Sequence, residues 1–195
     1  MRRKRRKGLT FYQKKKKINA SVAREVFSWL FGIIMAVFLA FVVTYAVGMR
    51  ISVIGVSMEP NLTNGQEILV NRFSYRFLSP KQGDVIVFLP NGNQNAHYYV
   101  KRVVAVPGQT VLIEDGVLYV DGEAYEEEVY DLISSPGIAE DEISLGSGEY
   151  FVIGDNCNSS EDSRSANIGP VNKSTIIGRA WFHFGNGLIG WGFIE

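Results

Sequence analysis

The pattern of apolar and polar positions divides the chain into three stretches. Residues 1–25 are dominated by charge, whereas from Val26 to Gly48 the chain is rich in Phe, Val, Ile, Leu and Ala and carries no charged side chain. As a helix, such a run crosses a hydrocarbon core of about 30 Å, which predicts one transmembrane helix over 26–48. From Ile51 on the period changes. Short runs of Val, Ile, Tyr and Phe alternate with turn signals, and no segment keeps helical periodicity with caps. Residues 49–195 therefore predict a mostly β domain, an antiparallel sheet or barrel-like arrangement.

Strands are expected at Glu67 to Val70, Asp84 to Phe88, Tyr99 to Val106, Tyr150 to Ile153 and Thr175 to Phe184. Asn64-Gly65, Asn91-Gly92, Asp115-Gly116 and Asp121-Gly122 reach positive φ cheaply, and Val111 to Val120 reads as a hairpin turning at Asp115-Gly116. The acidic stretch Glu123 to Glu142 reads as a solvated excursion from the sheet. The tail Trp181 to Ile194 fits either a core strand or an aromatic edge at a lipid interface, where tryptophan is favoured.

Charge adds a direction to this layout. Residues 1–25 hold eleven Lys or Arg and one acid, leaving nine bases against nineteen acids for the remainder. Positive charge stays on the cytoplasmic side, so a cytoplasmic tail (1–25), a single pass of the cell membrane (26–48) and an extracytoplasmic domain (49–195) are expected. Ala46 and Gly48 have the spacing of a signal-peptide cleavage site, but the apolar run exceeds the usual h-region of about 7–15 residues. The basic block alone would permit nucleic-acid binding; beside a membrane span it is better read as a topology signal, and no nucleic acid is expected. Cys157 is the sole cysteine, so no internal disulfide braces the domain. Sequons at Asn61, Asn158 and Asn172 fall partly in candidate functional segments, where glycans would obstruct; a bacterial exterior suits them better.

Candidate chemistry rests on two residues. Ser57 stands in Gly55-Val56-Ser57-Met58-Glu59-Pro60, just past the apolar run, and Lys101 in the strand-like Tyr99-Val100-Lys101-Arg102-Val103-Val104. A serine hydroxyl needs a base, and only His97 and His183 offer the usual one. A lysine can serve if burial holds it neutral, below its ordinary pKa of about 10.4. Tyr98, Tyr99, Val100, Val103, Val104 and Val106 supply apolar bulk around Lys101, with Arg102 on the opposite strand face. Taken singly, both residues read blandly. A strand lysine is usually at the surface, and Ser57 is not in a nucleophile elbow, since Glu59 stands where that motif needs glycine. Together, behind an anchor, they suggest a membrane-tethered peptidase.

Four ordered blocks resemble the type I signal peptidases, in the single-span form common in Gram-positive bacteria. They are Gly55 to Leu62, Gly83 to Phe88, Tyr99 to Gly108, and Gly154-Asp155-Asn156-Cys157-Asn158-Ser159-Ser160-Glu161-Asp162-Ser163-Arg164. The resemblance implies Ser57 as nucleophile and Lys101 as general base, flanked by Gly55 and Met58. It implies that Ser160 hydrogen-bonds the lysine amine, and that Asp162 and Arg164 form an ion pair bracing the last loop. It further implies that signal peptides of translocated preproteins bind as an added strand between the segment entering Ser57, about Ile51 to Gly55 and including Ile51, Ser52 and Val53, and the segment Tyr98-Tyr99-Val100, and are cut after small-x-small sites. Lipid bilayer and proximity to the translocation channel would be the other surroundings, with no metal and no cofactor. Cys157 departs from the arginine many members carry, and Gly55 from a serine that in some helps hold the oxyanion, leaving more of that role to the Ser57 amide. The Asp155 to Arg164 segment is no calcium loop, since the required Asp/Asn positions and central Gly are missing. Rival readings are a self-cleaving Ser/Lys protease of the repressor-processing type, which is soluble; a transpeptidase, whose cysteine nucleophile has no His partner here; and a catalytically silent membrane-tethered β module that binds exported peptides or scaffolds translocation.

Overall fold

An apolar run with no polar face forms a single long helix, α1 (Ala20–Val47), of 28 residues, about 42 Å at 1.5 Å per residue. The computed structural model describes residues 20–93, 95–125, 132–185, 187 and 190–194; the basic blocks within 1–19 and the middle of the acidic excursion, 126–131, lie outside these. The helix begins six residues before the expected Val26, because Arg24 and Glu25 limit the apolar span without opposing helix formation. Residues from Ala20 to Tyr45 are long and apolar enough to cross a membrane, and Phe27, Trp29, Phe31, Phe38 and Phe41 all stand exposed on it. A helix apolar all round requires an apolar surrounding.

Residues 43–195 form a separate compact unit. Its strands are β1 (Met49–Ser52), β2 (Glu67–Asn71), β3 (Val85–Phe88), β4 (Tyr99–Ala105), β5 (Thr110–Glu114), β6 (Val117–Val120), β7 (Glu123–Ala124), β8 (Ile143–Ser144), β9 (Glu149–Ile153), β10 (Val171–Asn172), β11 (Ile176–His183) and β12 (Gly192–Phe193), with a short helix α2 (Ser74–Phe77) after β2. They make two sheets, one in the order β1-β2-β11-β3-β4-β9-β10 with β12 beside β11, the other β7-β6-β5-β8. Every pairing is antiparallel. The expected strands all form, and the hairpin turns where Glu114 faces Val117, with Asp115 and Gly116 at φ 51° and 79°. Positive φ at both turn positions matches the right-handed strand twist.

The second sheet was not foreseen as a sheet of its own. The acidic excursion begins within it, where Glu123 pairs with Val120, and the chain rejoins it just past the excursion's end, where Ile143 pairs with Val111. The aromatic tail divides between its two readings. β11 is a core strand in which Ala180 is fully buried, while Trp191 and Phe193 stand exposed beyond it.

Three apolar clusters fill the unit, one of which underlies the candidate site: Val53, Met58, Leu62, Ile68, Val70, Val85, Val87, Val100, Ala180 and Ile194. Met58 and Val100 belong to this cluster and are the chain neighbours of Ser57 and Lys101. Packing at these two positions thus fixes both backbones that carry the candidate pair.

Candidate active site

Ser57 and Lys101 lie 44 residues apart in sequence, yet Lys101 Nζ and Ser57 Oγ share a hydrogen bond of 2.6 Å. Ser57 opens a turn closed by the Leu62 amide donating to the Met58 carbonyl at 2.8 Å. Lys101 is in β4, whose neighbours are β3 on one side and β9 on the other. The lysine is 4% exposed, and burial pulls its amine from 10.5 down to about 8, against the opposing fields of Asp162 and Glu161. A substantial neutral fraction therefore exists near neutral pH, and an amine lone pair at this distance can accept the hydroxyl proton.

Neither histidine competes for that role. His183 Nδ1 is engaged by Gln66 Nε2 at 2.9 Å, and His97 lines the cleft without a hydrogen bond to Ser57 among the described residues.

The loop after β9 locks the pair in place. Asn156 donates its amide to the Ser57 carbonyl at 3.0 Å. Gly154 lies so close that a Cβ there would collide with the Ser57 carbonyl oxygen and with Ser160 Oγ, so only glycine permits this approach. Asp162 and Arg164 form the expected buried ion pair at 2.8 Å, and Arg164 also donates to the carbonyls of Cys157 and Ser135. Ser160 differs from its expected role: its hydroxyl donates to Asp162 Oδ2 at 2.6 Å rather than meeting the amine. Asp162 is a buried carboxylate with strong demand for donors, and it lies closer to that hydroxyl in sequence. Cys157, which replaces an arginine of the resemblance, is 4% exposed and packs in the apolar cluster beneath the second sheet, a place that suits a small apolar side chain.

Sequence reasoning missed a second buried ion pair behind the first. Arg102 grips Asp155 through both nitrogens, Nε to Oδ1 at 2.8 Å and Nη2 to Oδ2 at 2.9 Å. It also donates to the Gly83 carbonyl at 3.0 Å, while Asn61 donates to Asp155 Oδ2 at 2.8 Å. This network ties the Ser57 turn, β4 and the loop after β9 into one frame. The available signal was Arg102 inside an otherwise apolar strand: a cation predicted to face away from Lys101 in a doubly covered sheet needs a buried acid. The amide nitrogens of Asn61 and Asn158 donate to Asp155 Oδ2 and the Leu132 carbonyl, so these two sequon side chains are committed internally, while Asn172 accepts through Oδ1 from the Ser174 amide.

A cleft of about 390 Å³ opens over the pair, walled by Ile54 to Ser57 on one side and by His97 to Lys101 on the other, with Ser159 and Glu161 at its edge. Tyr98, Tyr99 and Val100 line it. Of the segment Ile51 to Gly55, Ile54 and Gly55 line it, while Ile51 and Ser52 lie in β1 beside Ile68 and Glu67, and Val53 is buried with its backbone bonded to Gln66 and Gly65. Gly55 stands at φ 89° with its amide bonded to Asn64 Oδ1. β9 pairs with β4 only from Arg102 on, and among the described residues the Tyr99 to Lys101 edge has no strand neighbour on that side. Among the described residues no acceptor takes the Ser57 amide hydrogen. The described residues hold no cluster of potential metal ligands.

A β unit with a serine hydroxyl on a depressed lysine amine, beside an unpaired strand edge, has the parts needed for acyl transfer from an extended peptide. The signal peptidase, peptidase S26 family model matches residues 26–184. A probable signal peptidase I-1 of Synechocystis sp. is 37% identical over 134 residues, covering 66% of this chain and 66% of that one. Signal peptidase I P of Bacillus subtilis subsp. natto is 32% identical over 176 residues, covering 85% and 89%. Signal peptidase IB of Staphylococcus aureus is 29% identical over 177 residues, covering 83% and 90%. The chain belongs to the signal peptidase family, peptidase S26. With its apolar N-terminal helix, it is a membrane-anchored member.

Proposed function

We propose that the chain is a serine endopeptidase that removes N-terminal signal peptides from exported preproteins after small-x-small sites, with Ser57 as nucleophile and Lys101 as general base. The observation that carries this reading is the 2.6 Å contact between Lys101 Nζ and Ser57 Oγ, with the amine buried and its pKa lowered to about 8. Ser57 Oγ attacks the scissile carbonyl while Lys101 Nζ takes its proton. The resulting oxyanion is held by the Ser57 amide hydrogen, which has no competing acceptor among the described residues. Collapse expels the new N-terminus of the mature protein, protonated by Lys101, and leaves the signal peptide as an ester on Ser57. Water activated by the same amine then releases it.

The substrate adds as a strand between Ile54 to Val56 and Tyr98 to Val100, where main-chain bonds give affinity and shallow pockets admit small side chains. Residues 1–25 face the cytoplasm, 26–48 span the membrane and 49–195 lie outside, as the basic excess before the span supports. Sharing a membrane with the substrate's signal peptide raises the effective concentration of both, beside the translocation channel.

The test is cleavage of a preprotein carrying a small-x-small site by the detergent-solubilised chain, beside Ser57→Ala and Lys101→Ala. Cleavage at that bond should vanish in both. A wild type that binds signal peptides without cutting them would make this a silent peptide-binding module, and a Lys101→Ala variant that still cuts would give Ser57 another base.

A further inference from the structure

A second pocket, of about 260 Å³, lies away from the serine and lysine and is walled by Arg72, Arg76 and Lys173 with Tyr45, Phe73 and Tyr75. We propose that this pocket binds the headgroup phosphate of an anionic phospholipid where the membrane span ends.

Charge is the first support. Beyond residue 25 the chain holds nine bases against nineteen acids, yet three of those bases meet here with no acid among the described walls. None of the three forms an ion pair among the described residues; Lys173 Nζ reaches Ser79 Oγ at 3.1 Å, and the Arg72 guanidinium stands 5.9 Å from the Tyr45 ring centre. The carboxylate behind the Tyr75 wall, Asp84, accepts from that tyrosine at 2.9 Å and is neutralised by Arg179 at 3.1 Å. Unpaired guanidinium forks match phosphate oxygens in geometry as well as charge.

Position is the second support. Tyr45 closes the apolar span, and residues from Val43 on belong to the same compact unit as the pocket. Tyr45, the last residue of the apolar span, is itself a wall of the pocket, so the pocket begins where the span ends in the chain.

The third support is the apolar rim. Asn71 Oδ1 accepts the amides of Phe73 and Ser74 at 2.9 and 3.1 Å, fixing the turn into α2. That short segment carries Phe73, Phe77 and Leu78 at 51%, 74% and 62% exposure. Cations beside protruding aromatics suit an interface with phosphates above acyl chains, whereas a free inorganic anion would leave those apolar groups in water.

The test uses the full chain, released from nanodiscs containing both phosphatidylcholine and phosphatidylglycerol, with retained lipid read by native mass spectrometry. Phosphatidylglycerol should be retained in preference, and R72Q/R76Q/K173Q should lose that preference by about fivefold per cation, on the order of a hundredfold in all. R72K/R76K, which keeps the charge, should retain most of it, and Arg50→Gln, an exposed cation paired with Glu67, should leave it unchanged. The site is refuted by a wild type that shows no preference, or by a triple variant that keeps it while unfolding at the same temperature. Displacement of phosphatidylglycerol by inorganic phosphate at equal concentration would make the pocket a free-anion site and overturn the lipid assignment. The dyad plays no part in this readout, so the pocket and the peptidase reading fail separately.

Discussion

Lys101 and Arg102 are consecutive on one strand, each 4% exposed, and their surroundings are opposite. Arg102 is held bidentately by Asp155, so its charge is matched and its position fixed. Lys101 faces a hydroxyl, and the carboxylate whose field reaches it most strongly, Asp162, is already held by Arg164. A buried cation with a dedicated acid acts as a structural clamp. A buried amine denied one gives up its proton within reach of neutral pH, as the proposed role of base requires.

The sharpest way to break this contrast is Lys101→Arg. Guanidinium stays protonated at any accessible pH, so cleavage should fall by about 10²–10⁴-fold while the chain still folds, as rate and circular dichroism together would record. Arg102→Met should do the reverse. It strands the Asp155 carboxylate and should cost about 3–5 kcal/mol of stability in urea unfolding, much of it recovered by adding Asp155→Leu.

The pH dependence follows from the lowered amine. Cleavage should rise with pH through about 8, as Lys101 loses its proton. Stability should rise too: between about 8 and 10.5 the unfolded chain binds a proton the folded chain does not, so unfolding becomes costlier as pH climbs through that window. Below it both states are protonated and burial of the charge is penalised in full. Lys101→Met should lack this slope when its unfolding is compared with wild type across the same buffers. The smallest effect is Glu161→Gln. Glu161 raises the amine's pKa through its field and accepts from Tyr99 Oη at 3.2 Å. Its loss should move the rising limb of the pH–rate profile to lower pH by about half a unit or less, since an exposed charge is screened.

Much of this arrangement was legible before any coordinates. The apolar run, the β-branched runs and the Asp-Gly turn follow from local periodicity and backbone preference, which act over a few residues and leave their mark there. Ser57 and Lys101 were recognisable as a pair because a hydroxyl needs a base and few others were on offer. What stayed hidden depends on long-range geometry. Nothing near Asp155 says that it will meet Arg102 rather than Arg164, because that choice is made by the register of β4 on β9. Ser160 could have reached the amine or Asp162, and the loop's curvature decided for the carboxylate. Within Ile51 to Gly55 the sequence does not tell Ile51 and Ser52, which join β1, from Ile54 and Gly55, which face the cleft, because the β1–β2 pairing has no sequence signature of its own.

The contact of Gly154 and Asn156 with Ser57 has a consequence in time. Synthesis runs from the N-terminus, so Ser57 and Lys101 both emerge well before the segment that holds the serine against the lysine. The Ser57–Lys101 geometry is thus completed late, when residues 154–164, the last part of this frame to be made, dock against the serine.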